Sequence, residues 1–472
     1  MENRSPMSSP DASNGTTDDR DVSPRRWDIR RWRRRRKLLL AGAVVGGVLV
    51  FSVWWVALRI VEHPSWPPPA DAVRPADAQA ATEAFVARDH PARNEIGIPY
   101  APATASDVQL FVEGLNFFPR ILDDIRAAQS SVHVLEFGFK PGEVADQFVS
   151  VLEQKAREGV DVRVSVDAKG SETSSTSEAM LAHLAQGGVQ IVVHNALPLD
   201  RDGLIPNQSI DWRHDELGRV DHRKMFVVDG RIGWVGGAGI EDHFANGEYH
   251  DVFVRVEGDV VRQMQAVFLM GFRAYGGPLP SGSGALTKYF PEPANPGTIP
   301  ATVLQNIPGG FVAGTQAIRA AIESSRTRLD IMNPYLSDDG IIDRIVAAGR
   351  RGVVVRLLVS QESNNKPAEY TLEHNYDRLL SAGVQIWEYP AVQHAKVVVA
   401  DDITIIGTIN FDAWALYRNL EIALRFEGKD VADQTQTQYI DDGIARSIPG
   451  TRPTGVWTRI RNWAWSRFAY FY

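Results

Sequence analysis

Two histidines and two lysines recur at one spacing, His222-Arg223-Lys224 ahead of Asp229 and His394-Ala395-Lys396 ahead of Asp401, so the chain carries HxKxxxxD twice. An imidazole attacks or moves a proton near neutral pH, and an ammonium neutralises an anion. Two such sets suggest one shared active site. Each is followed by a small-residue turn, Gly236-Gly237-Ala238-Gly239 after the first and Gly407-Thr408-Ile409-Asn410 after the second. Short β-branched runs directly after each lysine, Met225–Val228 and Val397–Ala400, predict that each histidine and lysine stands at a strand entrance. Residues two apart on a strand project to the same side, which leaves Arg223 and Ala395 facing away.

The elements that must position these groups are also doubled. Ile125–Ala128 returns as Ile318–Ala321, and Gly188–Ile191 as Gly383–Ile386. Repetition at a domain-sized period predicts two similar lobes rather than a solenoid. The two histidines lie closer together than the other repeats, so the first half holds an insertion, roughly 195–221, just before its histidine. Helical periodicity over 117–129, 144–158 and 180–186 alternates with strand-like runs at 132–139, 160–166 and 189–193. This β-α-β alternation predicts an α/β fold whose two similar lobes are each a mixed, mainly parallel sheet flanked by helices. The lobes are expected at 106–275 and 301–446, joined by a Gly/Pro/Ser-rich linker at 276–300.

Residues 1–37 hold eleven Lys/Arg against six Asp/Glu, in a chain of net charge −8, so the remaining body is acidic. Nucleic-acid binding usually needs a basic footprint, and no nucleic-acid partner is expected. With no cysteine, disulfides and thiolate metal sites are ruled out. Residues 1–37 read as a disordered basic cytoplasmic segment. Leu38 to Val61 is almost wholly apolar and long enough to span a bilayer as a helix. The arginines before it keep the amino terminus in the cytoplasm, which puts the body on the extracytoplasmic side of the inner membrane. The length favours an uncleaved anchor over a signal peptide, and 62–105 reads as an Ala/Pro-rich linker. In the basic, aromatic tail 447–472, apolar positions 457, 460, 464, 468 and 471 form one helical stripe, suited equally to a lipid surface or to docking on the protein.

The doubled HxKxxxxD with its glycine turns resembles the phospholipase D superfamily, and within it the bacterial cardiolipin synthases. Supporting segments are Phe117-Phe118-Pro119-Arg120, Asp221-His222-Arg223-Lys224, Val235-Gly236-Gly237, Asn333-Pro334-Tyr335 and Asn419-Leu420-Glu421. The resemblance implies a phosphatidyltransferase without metal or cofactor. In it one histidine, assigned as His222, attacks phosphorus to form a phosphohistidine, and the other, His394, is the general acid and base. Lys224, Lys396, Gly237, Thr408 and Asn410 are the expected phosphate-binding residues. Asp251 and Glu421 occupy the family's places for carboxylates that orient the histidines. Asp229 and Asp401 complete the catalytic motif, yet they end its strands and are expected to brace the lobes.

The substrate implied is a phospholipid, phosphatidylglycerol first, with transfer to a second phosphatidylglycerol and release of glycerol. Hydrolysis to phosphatidic acid and a nuclease activity are the alternatives. The group His214, Asp215, Glu216, Asp221 and His222 has metal-capable side chains but irregular loop spacing, and reads as a solvated acidic loop. His243 and His250 read as surface histidines.

Overall fold

Strand alternation sorts the apolar residues into three cores. In Met225–Val228, Met225 and Val227 point into a core shared by both halves of the chain, whereas Phe226 and Val228 point into a core belonging to the first half alone. Val397 and Val399 likewise enter the shared core, and Val398 and Ala400 a third core of the second half. The computed structural model describes residues 103–171, 175–196, 207–209, 220–281, 285–307 and 311–469. The predicted segment 1–37, the span 38–61, nearly all of the linker and most of the insertion before His222 lie outside the described residues. Among the described residues, no helix is long and apolar enough to cross a membrane.

Two sheets back onto the shared core. The first runs in the order Asp107–Val112, Val252–Glu257, Ile232–Gly236, Met225–Val228, Ser131–Glu136, Asp161–Asp167, Gln190–Ala196 and Asn207–Ser209. The second repeats it as Ile299–Ile307, Glu421–Glu427, Ile403–Gly407, Val397–Ala400, Arg328–Met332, Val354–Ser360 and Gln385–Tyr389, with Ala103–Ala105 and Ile448–Pro449 at its edges. Helices cover the outer faces. Gly114–Ala127 buries Phe117, Phe118, Ile121, Leu122 and Ile125 on one stripe, and Ala313–Ser324 does the same with Ile318, Ala321 and Ile322. Val260–Ala274 instead inserts Val260, Met264, Val267 and Phe268 into the shared core.

The expected mainly parallel sheet is corrected. Ser131–Glu136, Asp161–Asp167 and Gln190–Ala196 pair in parallel, but from Ser131–Glu136 through the motif strand to Asp107–Val112 every pairing is antiparallel. The second sheet divides in the same way. The reason is the length of the connection. Met225–Val228 and Ile232–Gly236 are joined by a turn too short for a crossover, so they form a hairpin, and parallel neighbours need a long return.

The motif aspartates make those turns. Asp229 and Asp401 have left-handed backbones, φ 54° and 51°. The Asp229 carboxylate accepts the backbone N–H groups of Gln129, Ser130 and Ser131 at 2.7–2.9 Å. Asp401 accepts those of Arg326, Thr327 and Arg328 at 2.7–3.0 Å. Each ties the motif turn to the loop ahead of the neighbouring strand, far from the other motif residues. Partial burial pushes the Asp401 carboxyl up, but these hydrogen bonds with that of the Thr327 hydroxyl outweigh it and hold the group at about 2. A depressed carboxylate stabilises the fold above its ordinary pKa and loses that contribution as pH falls towards its folded value. Asp401→Asn should therefore lower the thermal midpoint at pH 7, and the gap to wild type should narrow as pH is lowered from about 4 towards 3; a gap independent of pH would refute the role assigned to the carboxylate.

Candidate active site

Both motif strands begin at the same cleft. His222, Lys224, Gly237, His394 and Asn410 line one cavity of about 490 Å³, together with Tyr335, Asp412 and Asn419. The strand entrances are stitched across the lobes. The His222 N–H donates to Leu420 O at 2.9 Å and the Leu420 N–H to Val220 O at 3.0 Å, while the His394 N–H donates to His250 O at 2.7 Å. Tyr249–His250 also pairs with Val392–Gln393 as a two-stranded parallel ribbon.

The carboxylates are exchanged in the same way. His222 Nδ1 lies 3.1 Å from Glu421 Oε2, and His394 Nδ1 lies 2.7 Å from Asp251 Oδ2. Each histidine thus takes its partner from the opposite lobe, although in sequence each carboxylate follows the histidine of its own lobe. An ionised carboxylate that accepts from Nδ1–H, as Asp251 does at His394, fixes the tautomer with Nε2 unprotonated, and that nitrogen lies 3.2 Å from Lys396 Nζ. Phe137 packs edge-on against the His222 ring at 4.8 Å between centroids, and Phe244 lies 5.3 Å from the His394 ring. Gly237 is required here, because a Cβ on it would come within 2.5 Å of Asp251 Oδ1.

The lysines stand beside the imidazoles. Lys224 Nζ donates to His222 O at 2.7 Å and sits 4.8 Å from the Phe137 ring centroid. Lys396 Nζ donates to His394 O and lies 2.8 Å from His394 Nδ1. Burial disfavours charge on all four groups. It lowers Lys396 to about 7 against the pull of Asp251, and lowers Lys224 against Glu421 and Glu136. Burial, then the charge of Lys396, brings His394 down to about 3; burial with Lys224 and Lys396 holds His222 well below its ordinary value. Burial also pushes Glu421 up to about 8, against the attraction of Lys224. At Asp251 burial acts upward too, but the His394 hydrogen bond and the Lys396 charge outweigh it and hold the carboxyl below its usual range.

Several expected residues are placed otherwise. Thr408 is buried and does not line the cavity; its hydroxyl donates to Glu421 Oε2, which makes it a support for the orienting carboxylate rather than a phosphate donor. Asp229 and Asp401 are not at the cavity and only brace the turns. His243 and His250 are not plain surface residues: His243 lines the cavity, and His250 is buried with Nδ1 2.7 Å from Glu113 Oε1 and its ring stacked on Tyr389. Among the described residues, no group of three or more His, Asp and Glu is arranged to hold a metal ion.

Further residues support the site from around the motif. Asp412 caps the helix Ala413–Tyr417 through the Ala415 N–H, and burial beside Glu421 pushes its carboxyl up to about 7. Asp before a short Ala/Leu run is a readable cap signal. Glu136 is wholly buried, and burial raises its carboxyl well above the ordinary range against the pull of Lys224. Its place on a continuous buried strand gave no sign of this. Asn333 accepts the N–H groups of Tyr335 and Phe411 and donates to Ile409 O, fixing the turn that carries Asn410.

Two repeated sheets that converge on one pair of imidazoles and one pair of ammonium groups define a duplicated His/Lys enzyme. The family described as the cardiolipin synthase, phospholipase D-like domain matches residues 121–270 and 318–442, and the chain belongs to it, an enzyme of the phospholipase D superfamily. The cardiolipin synthase 2 of Staphylococcus epidermidis is 26% identical over 351 residues, 72% of this chain and 68% of that protein. The cardiolipin synthase of Geobacillus thermodenitrificans is 29% identical over 350 residues, 72% and 66% of the two chains. The crystal structure of phosphatidylserine synthase from Haemophilus influenzae shares the fold, with a TM-score of 0.59 at 13% identity over 83% of this chain and 97% of that one.

Two outcomes check this geometry. Thr408→Val keeps the shape but removes a donor to a buried carboxyl, so stability should fall by about 1–3 kcal/mol in denaturant unfolding and turnover should drop with little change in KM; a raised KM alone would return Thr408 to the substrate. Since Lys396 sits at about 7, a soluble short-chain glycerophosphodiester should bind more weakly as pH rises through 7, read by calorimetry, and a flat profile would contradict the placement of that charge.

Proposed function

We propose that the protein is a cardiolipin synthase-like phosphatidyltransferase, which moves the phosphatidyl group of one phosphatidylglycerol to a hydroxyl of another and releases glycerol. The observation that carries this reading is the pair of carboxylate-supported histidines lining one cavity with Lys224, with Lys396 buried just behind the His394 ring, in a chain of the cardiolipin synthase, phospholipase D-like family. Relatives that bear the cardiolipin synthase name over 72% of this chain support the choice of substrate.

In this mechanism His222 Nε2 attacks phosphorus while Glu421, on the other ring nitrogen, orients the imidazole. The P–O bond to glycerol breaks, and the departing oxygen takes a proton from His394. The hydroxyl of the second phosphatidylglycerol then returns a proton to His394, attacks phosphorus and breaks the P–N bond to His222. Lys224 and Lys396 hold the phosphoryl oxygens, whose charge opposes that of the lysines and favours the protonated form of His394. Asn410 adds a neutral donor. The acidic body weighs against the nuclease alternative.

The same reading includes a membrane site of action. Residues 38–61 act as an uncleaved single-pass anchor, with the amino terminus cytoplasmic and the two lobes on the extracytoplasmic side; the apolar length and the arginines before it support this.

With labelled phosphatidylglycerol as the sole lipid, purified enzyme should yield cardiolipin and free glycerol by mass spectrometry; phosphatidic acid as the only product would convert the reading to hydrolysis. With a phosphatidyl ester of p-nitrophenol, whose leaving group needs no proton, His394→Ala should accumulate a lipid-linked phosphohistidine that His222→Ala does not form, and the reverse pattern would exchange the two roles.

A further inference from the structure

The C-terminal helix Val456–Ser466 is docked on the protein by the wrong face for a soluble surface. Its polar side faces the protein: buried Asn462 donates Nδ2 to Glu373 Oε2 at 2.7 Å, half-exposed Arg461 donates to the same oxygen at 2.9 Å, and the Arg461 guanidinium lies 3.6 Å from the Tyr370 ring centroid. Its apolar side points outward, with Trp457 83%, Val456 72%, Trp463 52% and Ile460 48% exposed, and Phe468 beyond the helix 51% exposed. An ordinary surface helix buries its apolar stripe. Contiguous exposed apolar surface of this kind marks a binding face.

The residues around the stripe indicate what covers it. Residues 451–472 carry four arginines and no acidic residue, in a chain that is acidic as a whole. Arg459 and Arg467 are exposed beside the exposed Trp463, and Val456, Arg459, Ile460 and Trp463 border an apolar hollow of about 330 Å³. Tryptophan rings among arginines suit the boundary between lipid headgroups and acyl chains. A symmetric contact with a second copy would set these arginines against their own counterparts.

The orientation is also informative. Arg452 pairs with Asp377 at 3.3 Å, whereas Arg461 reaches Glu373, so the helix runs antiparallel to Lys366–Ser381 and heads towards that helix's first turn. Asn364 and Asn365, immediately before that turn, line the active cavity.

We propose that the outward face of the helix Val456–Ser466, with Phe468, docks on the surface of an anionic phospholipid bilayer and holds the cavity mouth at the lipid headgroups. The proposal rests on the phosphatidyl-transfer reading only for the purpose of this placement; the docking itself is independent of turnover.

The absence of cysteine allows a single engineered label. The full-length protein should be reconstituted in vesicles of phosphatidylglycerol with phosphatidylcholine, and in phosphatidylcholine alone, with an environment-sensitive fluorophore on Trp457→Cys or, as the control on another exposed site, Val354→Cys. In the anionic vesicles the label at 457 should shift to the blue and be quenched several-fold more by brominated lipid than the label at 354. Equal quenching at the two positions, or quenching at 457 that is the same in phosphatidylcholine alone, would overturn the proposal. The triple variant Trp457→Ser, Trp463→Ser, Phe468→Ser should lose about tenfold or more of its transfer rate on vesicles and keep the wild-type rate on monomeric short-chain phosphatidylglycerol. Equal loss on both substrates would also overturn it. If the unaltered enzyme forms no cardiolipin on either substrate, the phosphatidyl-transfer reading fails, and the fluorescence comparison still decides the docking.

Discussion

The site depends on an exchange of carboxylates between lobes. Asp251 belongs to the first lobe and holds His394 of the second, while Glu421 belongs to the second and holds His222 of the first. Neither motif histidine has its carboxylate partner in its own lobe. The exchange is built into the backbone, because the segment just before each last motif-side strand also hydrogen-bonds the other lobe's histidine: His250 O accepts from His394, and Leu420 O from His222. The core that both sheets share through Met225, Val227, Val397 and Val399 is therefore a functional interface, since a shift of one lobe against the other would move both carboxylates away from both rings.

Burial gives this arrangement its electrostatic character. Removing two lysines, two histidines and two carboxylates from water disfavours charge on each. The hydrogen bonds decide which groups resist: Asp251, bonded to His394 and close to Lys396, stays below its usual range, while Glu421 is pushed up to about 8. The two pairs are thus unlike in their proton affinity, despite a nearly symmetric frame. Such asymmetry suits a reaction in which one histidine must be nucleophilic while the other passes a proton back and forth. An anion beside the two lysines would favour their charged forms.

Glycine and asparagine settle details that the charged residues cannot. Gly237 leaves room for Asp251, and Asn333 pins the turn that bears Asn410. Glu136, buried close to Lys224 and raised well above the ordinary range, is the neighbour of the site whose cost is most visible. Buried carboxyls are disfavoured, and they persist where a neighbouring charge gives them something to do.

The sequence by itself determined the duplication, the strand entrances at His222 and His394, the flanking helices and the family, because periodicity and motif spacing are local properties that survive without a fold. Helical stripes such as Phe117, Ile121 and Ile125 were legible for the same reason. Only tertiary structure decided that the sheets are antiparallel on their motif side, that Thr408 serves Glu421, that His250 is buried, and that each histidine is held from across the interface. Those facts are pairings between residues far apart in the chain. A one-dimensional pattern records which side of a strand a residue occupies, but the identity of what it meets there is fixed by how two sheets pack face to face.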